Sequence, residues 1–169
     1  MDREEYKQFI EQAADLMEEH GLPHMAGRVI GALLVCMPQY MSHDELAESV
    51  QASKGAISMA TQLMLRMEVV ERISLPGERR HYYRLRETFL EDVMQERTEH
   101  FLQHERLFEA GTHLLRDEPL EANLRLTELQ AYVDFFAEEL PGLSERWKNR
   151  REELIRRRMD ALEKAKETT

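Results

Sequence analysis

The order of elements between residues 42 and 85 limits this chain's fold more than any other feature. Ser42 stands before HDELAESV, where its hydroxyl can cap a helix, and Glu45 three residues on completes a capping box. Gln51, Ala52 and Ser53 form a turn. Ser53 then caps a second helix, KGAISMATQLMLRMEVV. The expected inward positions are Leu46, Ala47, Val50, Ala52, Ile57, Ala60, Met64 and Met67. The small Ala47 lets two short helices cross closely, and Ile57 fills the angle between them. That is a helix-turn-helix arrangement, although a plain pair of packed helices has the same pattern. Gln51 occupies the place where such turns usually carry glycine.

The next segment narrows the choice. VVERISL (69–75) and RHYYRL (80–85) are rich in β-branched and aromatic residues, and Pro76, Gly77 and Glu78 lie between them. A β-hairpin with Arg79 and Arg80 at its tip therefore follows the helix pair. The expected fold class is mainly α with one β-hairpin: a winged helix-turn-helix with flanking dimerisation helices.

The flanks read as helices. Tyr6, Phe9, Ile10, Ala13, Leu16 and Met17 recur at helical spacing over 4–19, and HGLP (20–23) ends that run. A second helix over 24–37 carries Val29, Ile30, Leu33, Leu34 and Met37 and should be central. Its Gly27 and Gly31, four apart, predict close approach of another helix. After residue 87 the pattern predicts three long helices, over about 87–115, 120–139 and 145–165. A turn at PGLS (141–144) separates the last two, with Ser144 as a cap. The expected domains are an N-terminal dimerisation helix (1–20), a DNA-binding domain (21–86) and a C-terminal helical dimerisation region (87–169). Helices so apolar on one side need a covering surface, and a two-fold homodimer supplies one.

Charge sharpens the functional reading. The chain has 169 residues and a net charge of -10. Residues 51–86 nevertheless carry seven basic groups against three acidic ones. A bound polyanion responds to charge near the contact, because charge farther than about 8 Å away is screened. No apolar run is long enough for a membrane span, and the acidic start MDREEYKQF is unlike a signal peptide. The single cysteine, Cys36, reads as a buried thiol in a reduced compartment, so the expected location is cytoplasmic.

GRVIGALLV, MSHDELAESVQASKGAISMATQLM and VVERISLPGERRHYYRL resemble the MarR superfamily of transcriptional regulators, in particular its GbsR-like branch. The likeness covers residues 20–86. It implies a dimeric regulator, often a repressor, that binds an inverted-repeat duplex and is released by a small-molecule effector. On this chain it implies that Ser53, Lys54 and Ser58 face the major groove, while Arg79 and Arg80 reach the minor groove.

The residues themselves agree with that implication. A lysine in the first turn of a helix opposes the helix dipole, so Lys54 suggests a phosphate or base-edge contact. Gly55 keeps the surface low, and Thr61 and Gln62 follow one turn on. Arginine suits a narrow minor groove, which points to Arg79 and Arg80. Alternation along the second strand puts Tyr83 toward the core and leaves Tyr82 and Arg84 as phosphate contacts. A candidate effector pocket combines His20, His24 and Arg28 near the Pro23 break with Tyr132 and Trp147. For these two aromatics, core packing is the plainer reading.

His100 and His104 are four apart, a spacing that can hold zinc, but no third ligand is specified. No metal or cofactor is expected. HExxH, GxSxG and a glycine-rich phosphate loop are all absent, so the chain is not expected to be an enzyme. The alternative function is a winged-helix protein-interaction module without DNA binding.

Overall fold

The computed structural model describes residues 2–167, and at Pro141 the backbone alone. Residues 1, 168 and 169, which end the expected 1–20 and 87–169 segments, lie outside the described residues. The chain forms two compact units, one reaching to Val93 and the other starting at Met94.

In the first unit, α1 (Arg3–Glu19) and α2 (His24–Val35) pack together, followed by β1 (Met41–Ser42), α3 (His43–Ser49), α4 (Lys54–Arg66), β2 (Val70–Ser74) and β3 (His81–Leu85). The two glycines of α2 explain how closely α1 approaches. A Cβ at Gly27 would lie 2.6 Å from Ala14 Cα, and one at Gly31 would lie 2.9 Å from Ala13 Cβ. Burial then runs continuously from Ile10 through Val29, Ile30 and Leu33 to Leu46, Val50, Ile57, Met64 and Val70. Such a core is the main favourable term holding the unit together.

The strands form one antiparallel sheet in the order β1-β3-β2. Ser42 pairs with Tyr82, and Ser74 pairs with His81. The hairpin is the expected one, and β1 adds a third strand to it. Because Ser42 is also the N-cap of α3, the base of the hairpin is tied to the first helix of the pair.

Several inward positions differ from expectation. Leu34 is half exposed within α2, and Met37 is nearly fully exposed because α2 stops at Val35 and Cys36 turns extended before Pro38. Cys36 is half-buried, not buried; its thiol approaches Leu33 O, and desolvation raises its pKa above the ordinary value. Ala47 and Ala52 are half-buried against the core. Met67 is 42% exposed. It caps α4, and Glu68 at φ 56° turns the chain so that Val69 goes inward instead.

The boundary between the units falls within α5 (Phe89–Leu102). In the second unit, α6 (His104–Leu114) packs on α7 (Leu120–Glu167), with Gly111 against the Leu126 side chain and Val133 buried. Two expectations are corrected here. The helix expected over 87–115 is divided at Gln103, which opens α6. The helices expected over 120–139 and 145–165 are one 48-residue helix that runs through Pro141. A proline removes one backbone N–H bond, and long helical turns on both sides continue the ladder. Ser144 is therefore an interior helix residue and not a cap.

Candidate nucleic-acid interface

The helix pair is built by local hydrogen bonds. Ser42 Oγ accepts from Glu45 N at 3.3 Å, and Glu45 Oε2 accepts from Ser42 N at 2.6 Å, so the capping box is closed. These bonds to the carboxylate, the Ser42 backbone N–H first, hold the Glu45 carboxyl below its ordinary range. The turn is made without glycine. Gln51 takes φ 50°, donating its backbone N–H to Glu48 O, while Ala52 N donates to Ala47 O at 2.9 Å. A left-handed residue with a side chain costs about 1–2 kcal/mol, which is why glycine is common at this position. Ser53 Oγ then accepts from Ala56 N at 3.2 Å and starts α4.

The exposed face of α4 follows from this start. Ser53, Lys54, Gly55 and Gln62 are exposed and Ser58 is half-buried, with Gln62 Nε2 donating to Ser58 Oγ at 3.4 Å. Thr61 does not belong to that face. It is 2% exposed, and its hydroxyl donates to Ile57 O at 2.8 Å, because its position points between α4 and the core. Two residues that sequence reasoning missed complete the face: Met59, 76% exposed, and Arg66. Their spacing from Gly55 and Gln62 was the available signal. The apolar character of Met59 concealed it.

Lys54 Nζ lies 2.6 Å from Asp44 Oδ1 in the first turn of α3. This bond and the Lys54 charge are the main causes that hold the Asp44 carboxyl below its ordinary range, and the charges of His43 and Arg80 add to them. Arg80 also lowers Glu45. The hairpin arginine thus acts on the same α3 terminus as Lys54, and that terminus links the two ends of the positive island.

Arg79 and Arg80 are exposed beside the Pro76-Gly77 turn, where Gly77 takes φ 82°. Among the described residues neither forms an ion pair. The strand behind them corrects the expected contacts. Tyr82 is buried at 9% exposure, with its ring against Tyr40 at 5.3 Å, because β1 covers that side of the central strand β3. Tyr83 is half-buried on the core. Arg84 is exposed, but its Nε donates to Glu71 Oε1 at 2.6 Å across the β2–β3 pair.

The five candidate effector residues are divided between the units: His20, His24 and Arg28 in the first, Tyr132 and Trp147 in the second. His24 Nε2 faces Glu11 and Asp15 at 3.6 and 3.5 Å, and Arg28 pairs with Glu11 at 3.1 Å. His20 Nδ1 sits 2.7 Å from Leu16 O. Arg28 lines a cleft of about 500 Å³ with Lys7, Glu11, Ser49 and Gln51. Tyr132 joins an aromatic group with Phe101, Phe135 and Phe136. His100 and His104 fall on either side of the break at Gln103, and His104 Nδ1 lies 2.8 Å from Phe101 O. Among the described residues, the group whose ligand atoms come within 4.8 Å of one another is Asp15, Glu18 and His24. No helix of the described residues is long and apolar enough to cross a membrane.

This arrangement of capped helix pair and wing has close counterparts. The chain is 34% identical over 130 residues to the HTH-type transcriptional regulator MmpR5 of Mycobacterium tuberculosis (strain ATCC 25618 / H37Rv), covering 75% of this chain and 79% of that protein. The chain belongs to the MarR family of transcriptional regulators. A family model for MmpR5-like MarR family transcriptional regulators matches residues 88–153, the helical part that follows the wing. The fold is also similar to a crystal structure of a transcriptional regulator, with TM-score 0.66 and 30% identity, covering 86% of this chain and 99% of that one. As a MarR-family winged helix-turn-helix protein, the chain is grouped with DNA-binding transcriptional regulators and not with enzymes.

Proposed function

We propose that the protein is a homodimeric repressor that binds an inverted-repeat duplex operator and is released by a small-molecule effector. The carrying observation is the open face that begins at Ser53, Lys54 and Gly55 and continues through Ser58 and Gln62, accompanied by Arg79 and Arg80, which form no ion pair among the described residues. In this reading α4 enters the major groove and the two arginines grip the minor groove and backbone. Arg84 has a supporting role at most, since Glu71 already holds it.

Dimerisation rests on the apolar surface left open in the second unit, where Leu124, Tyr132, Phe135 and Ile155 are each about half or more exposed. Phe9 and Leu16 of α1 are also partly exposed beyond its contact with α2. Both observations support dimerisation segments at 1–20 and 87–169 around a DNA-binding domain at 21–86. A protein of this kind works where its operator is, in the cytoplasm. The likeness of residues 20–86 to the GbsR-like branch belongs to the same reading.

The cleft beside Arg28 supports effector release within the first unit. It is lined by residues of α1 and α2 and by Gln51, the residue that sets the turn before α4. A ligand there would act on the angle of the recognition helix.

The test is duplex binding across salt, using duplexes selected from a random pool. Affinity must fall steeply with salt, because phosphate contacts release counterions. Replacing both Arg79 and Arg80 with alanine should weaken binding and leave thermal unfolding unchanged. Affinity indifferent to salt would sink the proposal.

A further inference from the structure

Met59 is the anomaly of the recognition helix. It is the sixth residue of α4, and it stands on the face formed by Gly55, Ser58 and Gln62. Its side chain is 76% exposed, although methionine is usually a core residue. Side chains on a helix lean toward the preceding turn, which here is Gly55. Yet among the described residues no Met59 side-chain atom comes within 4 Å of a Cβ built at Gly55, which would meet Ser53 Oγ at 3.9 Å, so the thioether does not fold back over that gap. It projects outward from the middle of a polar stripe.

Major-groove chemistry offers one apolar group. Thymine presents its C5-methyl there, while the other groups on the base edges are hydrogen-bond donors or acceptors. Met59 can neither donate nor strongly accept, so on this face it can discriminate a base pair only through that methyl. Gln62, three residues on, has the amide that pairs with adenine N6 and N7. We infer that Met59 is a specificity-determining residue that reads a thymine methyl in each half-site. Ser58 and Gln62 supply the polar contacts beside it. This rests on the proposed placement of α4 in the major groove.

The experiment replaces each thymine of a selected duplex, one at a time, by deoxyuridine, which removes only the methyl. Wild-type protein should lose about fourfold in affinity at one position per half-site, the equivalent of burying one methyl group. Met59→Ala should bind the thymine and deoxyuridine duplexes equally at that position and keep the wild-type response elsewhere. Met59→Leu should retain the discrimination. A Met59→Ala scan identical to the wild-type scan overturns the inference and leaves duplex binding intact. Absence of any salt-sensitive duplex binding by the wild-type protein overturns the operator reading as well. Because Met59 is exposed, unchanged thermal unfolding of both variants checks that the fold is kept.

Discussion

Replacing Gly55 by alanine separates the demands of the fold from those of the interface. Gly55 lies in the first turn of α4, and beyond the helix's own backbone the one atom of the described residues its added Cβ would meet is Ser53 Oγ at 3.9 Å, an ordinary contact. The fold therefore has no use for glycine there. Alanine in a helix is favoured over glycine by about 0.5–1 kcal/mol, chiefly through lower backbone entropy in the unfolded chain. For a chain of this length that is roughly 1–4 °C in Tm. If duplex backbone or bases come close at Gly55, the same methyl is overpacked on binding. Overpacking costs about 1–3 kcal/mol, roughly 5- to 150-fold in affinity. The paired assays are thermal unfolding and duplex titration at fixed salt. Gly55→Ala should be more stable and bind more weakly. A variant that is more stable and binds equally well removes Gly55 from the interface. A less stable variant refutes the open space read around it.

Gly27→Ala should act in the opposite direction. Its Cβ would sit 2.6 Å from the Ala14 backbone, so α1 or α2 must move, and thermal unfolding should show a loss of about 1–3 kcal/mol. Gln51→Gly relieves the left-handed strain at φ 50° and, after allowing for glycine's unfolded-state entropy, should raise stability by about 0.5–1 kcal/mol in denaturant titration. Glu45 has a folded pKa depressed first by the Ser42 backbone N–H, so its stabilisation is present above the unfolded carboxylate pKa and lost as pH falls through the folded one. Unfolding followed from pH 6 down to pH 3 should show wild type losing more stability than Glu45→Gln; parallel curves would exclude that contribution.

The local chemistry of this chain was legible from its sequence, and much of the packing was not. The Ser42–Glu45 capping box, the Ser53 cap and the hairpin about Pro76 and Gly77 depend on residues close in sequence, whose spacing alone sets the bonds. Gly27 and Gly31 announced a close neighbour in the same way. Their partner, α1, is identified by the packed structure.

Which side of an element faces inward depended on what covers it. Helical periodicity placed Thr61 and Gln62 side by side, yet the core takes Thr61 and leaves Gln62 to solvent. Strand alternation expected Tyr82 outward; β1 and Tyr40, brought from forty residues earlier, bury it. Proline chemistry predicted a stop at Pro141, but continuous turns on both sides carry α7 through it. The sequence by itself determined the caps that open α3 and α4, the hairpin turn and the positive island they bear, because caps, turns and charge act over a few residues. Only the tertiary structure decided that Met59 faces outward and Thr61 and Tyr82 do not, because burial belongs to the pair of surfaces in contact and never to one residue alone.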